Sequence, residues 1–415
     1  MSDWVTTTVG DLATGFLSGG TPSTRRPEYW EGDIPWITSK WLGDTLELID
    51  GEKLVSEEAV KKTATKIVPR DSIIFATRVG VGKIGINKID LAINQDLAGI
   101  LVDNERYDVK FLAYQLGIDS VQQYVAMNKR GATIKGITRD CLAQIRLNLP
   151  PLPEQKKIAH VLSTVQRAIE AQERIIQNTT ELKKALMHKL FTEGLRGEPQ
   201  KQTEIGLVPK SWEVVRCEDV CEKISVGIVV KPSHYYVREG VPAFRSQNVR
   251  EDRIQPEPMV YISEEANNGP AKKSKLSAGD VLIVRTGYPG TSCVVPSEFD
   301  GSNCIDLIFV RPDKDKLRSQ YLSRFFNSDA AKLQVQAGKI GLAQQHFNVG
   351  AVKNTQMPLP PADQQDEIVS QLELIDAKRD LGISRRKALQ DLFRTLLHEL
   401  MVAKTRVHDI DIESL

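Results

Sequence analysis

Two long segments of the chain carry apolar residues at helical spacing and contain no proline. Residues 154 to 197 have glycine only at Gly194 and Gly197, and residues 363 to 404 contain a single glycine. In both segments apolar residues recur in steps of four and three, as they do along the buried seam of a coiled coil. About 40 residues at 1.5 Å per residue predict two helices of roughly 60 Å each.

The predicted seams weaken near the middle of each helix, where polar residues such as Thr179, Lys183 and Arg379 take seam positions. Each helix could pack on its own domain, or the two helices could pair with each other; two matched helices favour pairing, with the polar residues specifying register. The apolar seam residues are Ile158, Leu162, Val165, Ile169, Leu186, Leu190, Ile368, Leu372, Ile375, Leu389, Phe393, Leu396 and Leu400.

The segments before the two helices are rich in glycine, proline and short β-branched runs such as Ser72 to Thr77. This pattern is typical of short strands joined by turns. One helix is predicted over Val109 to Gln123, with a counterpart over Leu317 to Gln334. We therefore predict an α+β fold with two mainly β domains, 1–150 and 201–360, each followed by a helical region, 151–200 and 361–415.

The whole arrangement occurs twice. Residues 149–158 (LPPLPEQKKI) return 210 residues later as 359–368 (LPPADQQDEI), and residues 131–138 (GATIKGIT) align with 341–348 (GLAQQHFN) at the same offset. Trp4 and Trp212 mark the two beginnings. A repeat of this length is too long for a solenoid and has the size of a domain plus an arm, so the chain is a tandem duplication.

Composition narrows the class of protein. A chain of 415 residues with 41% hydrophobic and 26% charged residues is typical of a soluble protein of two or three domains. No run of apolar residues is long enough to span a membrane, and we expect a cytoplasmic protein. The net charge of +1 neither demands nor excludes a nucleic-acid partner. The five cysteines lack the spacing of a zinc site, so buried, inert thiols and no bound metal are expected.

Catalytic motifs are missing from the sequence. The strings LPPL and LPPA, at 149–152 and 359–362, lack the amide or acid and the aromatic residue that an adenine methyltransferase needs to hold a flipped base. Gly80-Val81-Gly82-Lys83 is followed by Ile84 instead of Ser or Thr, so it does not match a phosphate-binding loop. We expect the chain to bind a partner and not to catalyse a reaction.

The duplicated set of a β-rich module, the GATIKGI string, the LPPLPEQKKI string and a long helix resembles the specificity subunits of type I restriction-modification systems. The resemblance covers nearly the whole chain. It implies that each β-rich part is a target recognition domain for one half of a split DNA site. It also implies that the helices pair as an antiparallel coiled coil, so that a pseudo-two-fold internal repeat presents both domains to one side of the duplex.

The same resemblance implies the partners. They are double-stranded DNA, two methyltransferase subunits that bring S-adenosylmethionine, and two restriction and translocation subunits that use ATP and Mg; the chain itself would bind no cofactor and no membrane. The methyltransferases would dock on the helices, whose outward faces are expected to include Lys183-Lys184 and Arg385-Arg386-Lys387.

Polar loop residues at matching places in the two copies are the candidate DNA contacts. Such side chains can donate to base edges or to phosphates. The candidates are Thr38, Ser39, Lys40, Thr77, Arg78, Lys129, Arg130 and Lys135 in the first copy, and Arg245, Ser246, Gln247, Asn248, Arg285, Thr286, Lys339, Gln344 and Gln345 in the second.

Two other readings of the sequence stay open. One is a coiled-coil scaffold with two protein-binding heads, which explains the helices but not the basic, amide-rich loops. The other is part of a fused restriction-modification enzyme, which the missing methyltransferase motifs disfavour.

If the helices separate the two recognition domains, inserting or deleting a few residues in either helix is expected to change the gap between the two recognised blocks of bases. The bases themselves should stay the same, because the loops are unaltered. Mapping the recognised DNA sequence of each length variant measures both properties. A changed base preference at an unchanged gap would contradict the spacer role.

Overall fold

The computed structural model describes residues 4–43, 45–131, 135–337, 347–405 and 407. The chain divides into two compact units. Unit 1 consists of Met1–Arg174 together with Ile383–Leu415, and unit 2 consists of Ile175–Gly382. Both boundaries fall within long helices, so each unit holds one β-rich domain, the start of one long helix and the end of the other. No helix in the described ranges is both long and apolar enough to cross a membrane.

The secondary structure of unit 1 begins with a β-rich domain. Its strands are β1 (Val5–Thr8), β2 (Ala13–Ser18), β3 (Ile34–Ile37), β4 (Glu47–Leu48), β5 (Lys53–Val55), β6 (Lys66–Val68), β7 (Ile73–Ala76), β8 (Ile84–Asn87), β9 (Leu91–Ile93), β10 (Leu97–Val102) and β11 (Arg146–Leu149). Its helices are α1 (Val9–Leu12), α2 (Glu57–Lys62), α3 (Val109–Gly117), α4 (Asp119–Met127), α5 (Arg139–Ala143) and the first part of the long helix α6 (Leu152–Thr192).

Unit 2 repeats this composition. Its strands are β12 (Gln200–Thr203), β13 (Gly206–Pro209), β14 (Glu213–Arg216), β15 (Cys221–Val226), β16 (Tyr236–Val237), β17 (Val241–Phe244), β18 (Val249–Arg250), β19 (Arg253–Ile254), β20 (Val260–Ile262), β21 (Val281–Val284), β22 (Ser292–Val294), β23 (Asn303–Cys304), β24 (Leu307–Pro312) and β25 (Gln356–Leu359). Its helices are α7 (Glu264–Asn268), α8 (Ser319–Asn327), α9 (Asp329–Ala337), α10 (Val349–Asn354) and the first part of the long helix α11 (Ala362–Met401).

Sheet topology confirms the duplication. In unit 1 the strand orders are β2-β10-β7-β8-β4 and β5-β3-β9-β6, with β1 paired to β11; in unit 2 they are β15-β24-β21-β22 and β16-β20-β17-β23, with β14 paired to β25. A parallel strand pair also recurs in the second sheet of each unit. It joins β3 to β9 in unit 1 and β17 to β23 in unit 2. Equivalent strands therefore carry their loops to equivalent edges of the two domains.

The helix predicted over Val109 to Gln123 is two helices in the structure, and so is its counterpart. The backbone of Ile118 is extended (ψ 152°), which ends α3 and starts α4. Ser328 is likewise extended (ψ 158°) at the end of α8. Asp119 and Asp329 then occupy the first turns of α4 and α9, where a carboxylate interacts favourably with the helix dipole. Apolar periodicity alone did not indicate this break.

The repeated glutamine at each long-helix entrance has a structural role. Gln155 is buried; its Nε2 donates to Pro150 O at 2.8 Å and its Oε1 accepts from Asp108 N at 3.0 Å. Gln365 repeats this geometry with Pro360 O at 2.9 Å and Arg318 N at 2.8 Å. In each unit one amide side chain thus joins the beginning of the long helix to the beginning of a domain helix. Gly194, with φ +72°, lies just beyond the end of α6.

Each unit has a core that combines its domain with both long helices. In unit 1 the core contains Ile158 and Leu162 from the start of α6 and Leu400 and Met401 from the end of α11. In unit 2 it contains residues from the end of α6 and the start of α11, namely Met187, Leu190, Phe191, Ile368 and Leu372. Residues late in one helix therefore pack with residues early in the other, which is the antiparallel arrangement that the family resemblance implies. Every apolar seam residue named from the sequence is buried or half-buried.

In unit 2 a group of four charged residues interrupts the apolar seam; we call Lys183, Asp252, Arg324 and Asp376 the ionic cluster. Lys183 Nζ lies 2.8 Å from Asp376 Oδ1 and 3.3 Å from Asp252 Oδ2. Arg324 Nη1 lies 2.5 Å from a carboxylate oxygen of each aspartate. Lys183 was expected on the outward face with Lys184; that expectation is wrong, because Lys183 is only 7% exposed. Lys184 is exposed.

The charged neighbours determine how Asp376 titrates. Burial by itself would raise the pKa of Asp376, but the hydrogen bond from Lys183 and the charges of Arg324 and Lys183 outweigh it, so the pKa lies below its ordinary value of 3.8. A carboxyl group whose pKa is lower in the folded than in the unfolded protein stabilises the fold above its unfolded pKa. It loses that contribution as the pH falls through its folded pKa.

The substitution Asp376→Asn is expected to lower the free energy of unfolding of unit 2 at neutral pH by about 3 kcal/mol, because it leaves two buried cations with one carboxylate. The difference from the wild type should shrink as the pH falls below about 3.8, the range in which the wild-type carboxyl group also becomes protonated. Urea unfolding at several pH values measures both effects. Asp366→Asn is the control, since the pair of Asp366 with Arg318 is exposed and should contribute at most about 1 kcal/mol. Equal losses in the two variants would contradict the role of burial.

Candidate nucleic-acid interface

In unit 1 the loops after β3 and β7 meet at the turn Asn94–Asp96. Asn94 N donates to Ile37 O at 3.1 Å, and Thr77 N donates to Asp96 O at 2.8 Å. The Asn94 amide donates to Asp96 Oδ2 at 3.0 Å, which closes the turn. The segment that begins at Thr38 and the segment Thr77–Arg78 therefore lie at one edge of the domain, although their strands belong to different sheets.

A third segment of unit 1 brings basic side chains to the same edge. Arg130 and Gly136 exchange backbone hydrogen bonds of 2.7 and 2.9 Å, and Ile137 N donates to Thr77 O at 2.9 Å. The backbone of Gly136 passes so close to Thr77 that an added Cβ would lie 2.6 Å from the Thr77 carbonyl oxygen. The edge thus gathers the basic residues Lys40, Arg78, Lys129, Arg130 and Lys135, all exposed except the half-buried Lys129.

Among the candidates of unit 1, Thr38 stabilises its own loop and Ser39 is buried. Thr38 Oγ1 donates to Glu52 Oε2 at 2.6 Å, and Lys40 N donates to Thr38 Oγ1 at 3.3 Å. Ser39 is only 3% exposed. A side chain this buried cannot reach DNA without opening the turn, so we omit Ser39 from the contact set.

The equivalent turn of unit 2, Arg245–Asn248, is organised by Asn248. This residue is fully buried, and its Nδ2 donates to the carbonyls of Gln255, Pro256 and Pro258 at 3.0, 3.2 and 3.1 Å. Its Oδ1 accepts from Arg245 N at 2.9 Å. Asn248 is therefore a turn-forming residue and not an available base contact, and we omit it as well. Gln247 is exposed, and Arg245 and Ser246 are half-buried.

Arg285 is fixed in place at the end of β21. Its Nη1 lies 2.5 Å from Asp306 Oδ1, its Nε donates to Phe347 O at 3.3 Å, and its side chain is 17% exposed. Asp306 has a left-handed backbone, φ +50°. Thr286, the next candidate, is exposed. A guanidinium group with two fixed partners has one orientation, as bidentate recognition of a guanine requires.

Strand register shows that the two arginines are not equivalent. Ala76 pairs with Leu97, and Val284 pairs with Leu307, which is 210 residues after Leu97. Thr77 therefore corresponds to Arg285, and Arg78 to Thr286. Successive residues of an extended chain point to opposite sides, which explains why Arg78 is exposed while Arg285 is held against the domain.

The aspartates that organise both edges were not among the residues predicted from the sequence. Asp96 and Asp306 lie 210 residues apart, so the repeat offset was the signal that could have identified them. Tyr288 was not among them either; it is 83% exposed and lies between Gly287 (φ +87°) and Gly290 (φ +91°). The candidates Lys339, Gln344 and Gln345 lie outside the described residues.

In the described part of the chain, groups of metal-ligating side chains are absent and three thiols are buried. Within it, no group of three or more His, Cys, Asp or Glu side chains is placed to hold a metal ion. Cys217 Sγ and Cys221 Sγ are 3.8 Å apart. That contact and burial raise the pKa of Cys217, and burial raises the pKa of Cys293 and Cys304. These three thiols are therefore protonated and weakly nucleophilic at neutral pH.

Comparison with known proteins finds similarity over nearly the whole chain. The family model "Type I restriction modification DNA specificity domain" matches residues 1–180 and 209–389. The chain is 24% identical over 420 residues to the specificity subunit of the type I restriction enzyme MjaVIII of Methanocaldococcus jannaschii, covering 99% of this chain and 94% of that protein. It is 31% identical over 160 residues to the EcoR124I/EcoR124II specificity subunit of Escherichia coli, covering 37% and 39% of the two chains.

Solved structures share the fold. The S subunit of a type I restriction-modification system from M. genitalium superposes with a TM-score of 0.60 at 15% identity, covering 96% of both chains. A second solved structure superposes with a TM-score of 0.59 at 18% identity, covering 96% of this chain and 97% of that one. Its description concerns complex assembly and conformational transition of the type I R-M system.

The different settings of the two arginines predict different effects on DNA binding. Arg78→Ala is expected to weaken binding to all sequences and to reduce the slope of log K against log salt by about 0.9, as loss of a phosphate contact does. Arg285→Ala is expected to relax discrimination at one base pair by about 1–3 kcal/mol.

Binding titrations at several salt concentrations, with DNA duplexes substituted at single positions, measure both quantities. Arg216→Ala is a matched control, because Arg216 is an exposed arginine of β14 that pairs with Glu218 at 3.1 Å. Indistinguishable effects of Arg78→Ala and Arg285→Ala would contradict the assignment.

Proposed function

The chain belongs to the family of type I restriction-modification DNA specificity proteins, and we propose that each of its two recognition domains recognises one half of a bipartite, asymmetric DNA site. Two separate domains joined through helices of fixed length suit two short blocks of specified bases. Between the blocks lies a gap of fixed length whose bases are not specified.

One observation carries this proposal: the same loop edge occurs in both domains with different side chains. The edge of unit 1 places Thr77 where unit 2 has Arg285, while the supporting aspartates Asp96 and Asp306 are kept. A constant framework with different exposed donors and acceptors recognises different bases. The two half-sites are therefore expected to differ, which makes the whole site asymmetric.

We assign the contacts to the residues at these edges that remain accessible. The proposed set is Thr38, Lys40, Thr77, Arg78, Lys129, Arg130 and Lys135 in the first domain and Arg245, Ser246, Gln247, Arg285 and Thr286 in the second. Lys339, Gln344 and Gln345 remain in the set on sequence grounds alone. Tyr288 joins it because its exposed aromatic ring, on the loop that follows Arg285 in the sequence, can contact a thymine methyl group or a sugar.

The remaining parts of the proposal concern partners. In this proposal two methyltransferase subunits, with S-adenosylmethionine, dock on the long helices, and two restriction subunits use ATP and Mg. The chain supplies recognition, while its partners carry out methylation and cleavage in the cytoplasm. Exposed charges on the helices, such as Lys184 and Arg385, suit a polar docking surface.

The test is to co-express the chain with the methyltransferase of its own system and to map every methylated adenine in the host DNA. We expect methylation confined to one split, asymmetric motif. It should vanish when the chain is omitted and persist with the control variant Arg216→Ala.

Two further measurements separate the rival functions. A gel shift at two salt concentrations, with and without the methyltransferase, should show DNA affinity that falls steeply as salt rises; affinity independent of salt, or no binding, would favour a protein scaffold. Binding of S-adenosylmethionine to the isolated chain would instead indicate a fused enzyme.

A further inference from the structure

The ionic cluster is costly for a structure that needs only to pack two helices. The side chains of Lys183, Asp252 and Arg324 are 9%, 9% and 7% exposed, and that of Asp376 is 16% exposed. Removing charges from water is unfavourable, and apolar side chains of similar volume often pack such a site with equal or greater stability. The cluster therefore requires an explanation other than stability.

Unit 1 shows that the fold does not need charges at this place. The residues 210 positions from Arg324, Asp376 and Lys183 are Tyr114, Gln166 and Phe393, none of which is charged. Tyr114 is buried, and its ring centroid lies 5.9 Å from that of Phe393. One copy thus has an aromatic pair at this place, and the other has four ion pairs among two cations and two carboxylates.

Ion pairs differ from apolar contacts in how they respond to sliding. A displacement of one helical turn in one direction would place Lys183 opposite Arg379, which now lies 3.1 Å from Asp376. A displacement of one turn in the other direction would place Lys183 opposite the apolar Leu372. Either shift leaves buried charges without partners, whereas apolar seam residues find new apolar neighbours. The cluster therefore favours a single register of α6 and α11.

The same cluster fixes the second domain on the helices. Arg324 belongs to α8, and Asp252 lies in the left-handed turn (φ +62°) between β18 and β19. Asp252 also accepts from Ser323 Oγ at 3.0 Å and Asn327 Nδ2 at 2.8 Å. Strand β18 begins at Val249, the residue after the turn Arg245–Asn248 at the candidate interface. Asp252 thus connects the helix pair to the strand that follows the proposed DNA-contacting turn.

We propose that the ionic cluster sets the length of the gap between the two half-sites, by fixing both the helix register and the place of the second domain along the helices. Its four members are positioning residues: they do not touch DNA, and they determine which spacing the protein accepts. This inference rests on the proposed bipartite recognition.

The test replaces one ion pair with apolar side chains in the full chain, co-expressed with its methyltransferase. The variant Lys183→Met/Asp376→Leu leaves Arg324 paired with Asp252. Methylated sites are mapped, and DNA duplexes with gaps one base pair shorter or longer are compared with the natural gap. We expect unchanged half-site bases and at least a tenfold increase in relative binding and methylation at the altered gaps.

Thermal unfolding of the same variant separates register from stability. An unfolding midpoint equal to or above that of the wild type, together with relaxed gap selectivity, supports the inference. The matched control is Lys184→Met; Lys184 is the next residue, lies 3.7 Å from Asp329 and has a side chain that is 75% exposed. It should keep a single gap. If the double variant does not fold, Lys183→Gln and Lys183→Arg provide the same comparison, with relaxation expected only in the uncharged variant.

Two outcomes contradict the inference in different ways. A folded double variant that keeps the wild-type gap overturns the role of the cluster and leaves bipartite recognition intact. Wild-type methylation that does not depend on the chain, or that follows an uninterrupted motif, overturns both proposals.

Discussion

The pairing of the end of one long helix with the start of the other is the contact on which the rest of the structure depends. Neither β-rich domain closes its core alone: the first contains Ile158 and Leu400, and the second contains Leu190 and Ile368. Apolar burial is the largest favourable term in folding. The helix pair is therefore part of both cores, and changes to the helices are transmitted to the domains that hold the recognition loops.

Duplication has preserved the framework and altered what it presents. Gln155 and Gln365 make the same hydrogen bonds at the two helix entrances, and Asp96 and Asp306 support the same loop edges. Arg78 and Thr286, which occupy matching positions at the two edges, are both exposed but differ in chemistry. The copies also differ in buried positions, since the ionic cluster of unit 2 stands where unit 1 has Tyr114, Gln166 and Phe393.

The sequence predicted the duplication, the two helices and their apolar seams, because helical periodicity and a fixed offset are local properties of the chain. It did not predict the partners of buried polar groups. Lys183 was expected to face water because its partners Asp252 and Asp376 are far away in the sequence, at separations of 69 and 193 residues. Ser39 and Asn248 resembled exposed loop residues, and only the tertiary structure shows them buried. The unit boundaries at Arg174 and Ile383 lie inside continuous helices, where composition gives no signal.

The interleaved chain path has a consequence for biosynthesis. Unit 2 is one continuous stretch, whereas unit 1 needs the last turns of α11, including the buried Leu400 and Met401. A ribosome emits the chain in order, and domains fold as their segments become available. The first domain is therefore completed last, and its apolar face around Ile158 and Leu162 stays uncovered until α11 has been synthesised. A chain that lacked the last turns of α11 would leave that apolar face exposed to water, although both β-rich domains had already been synthesised.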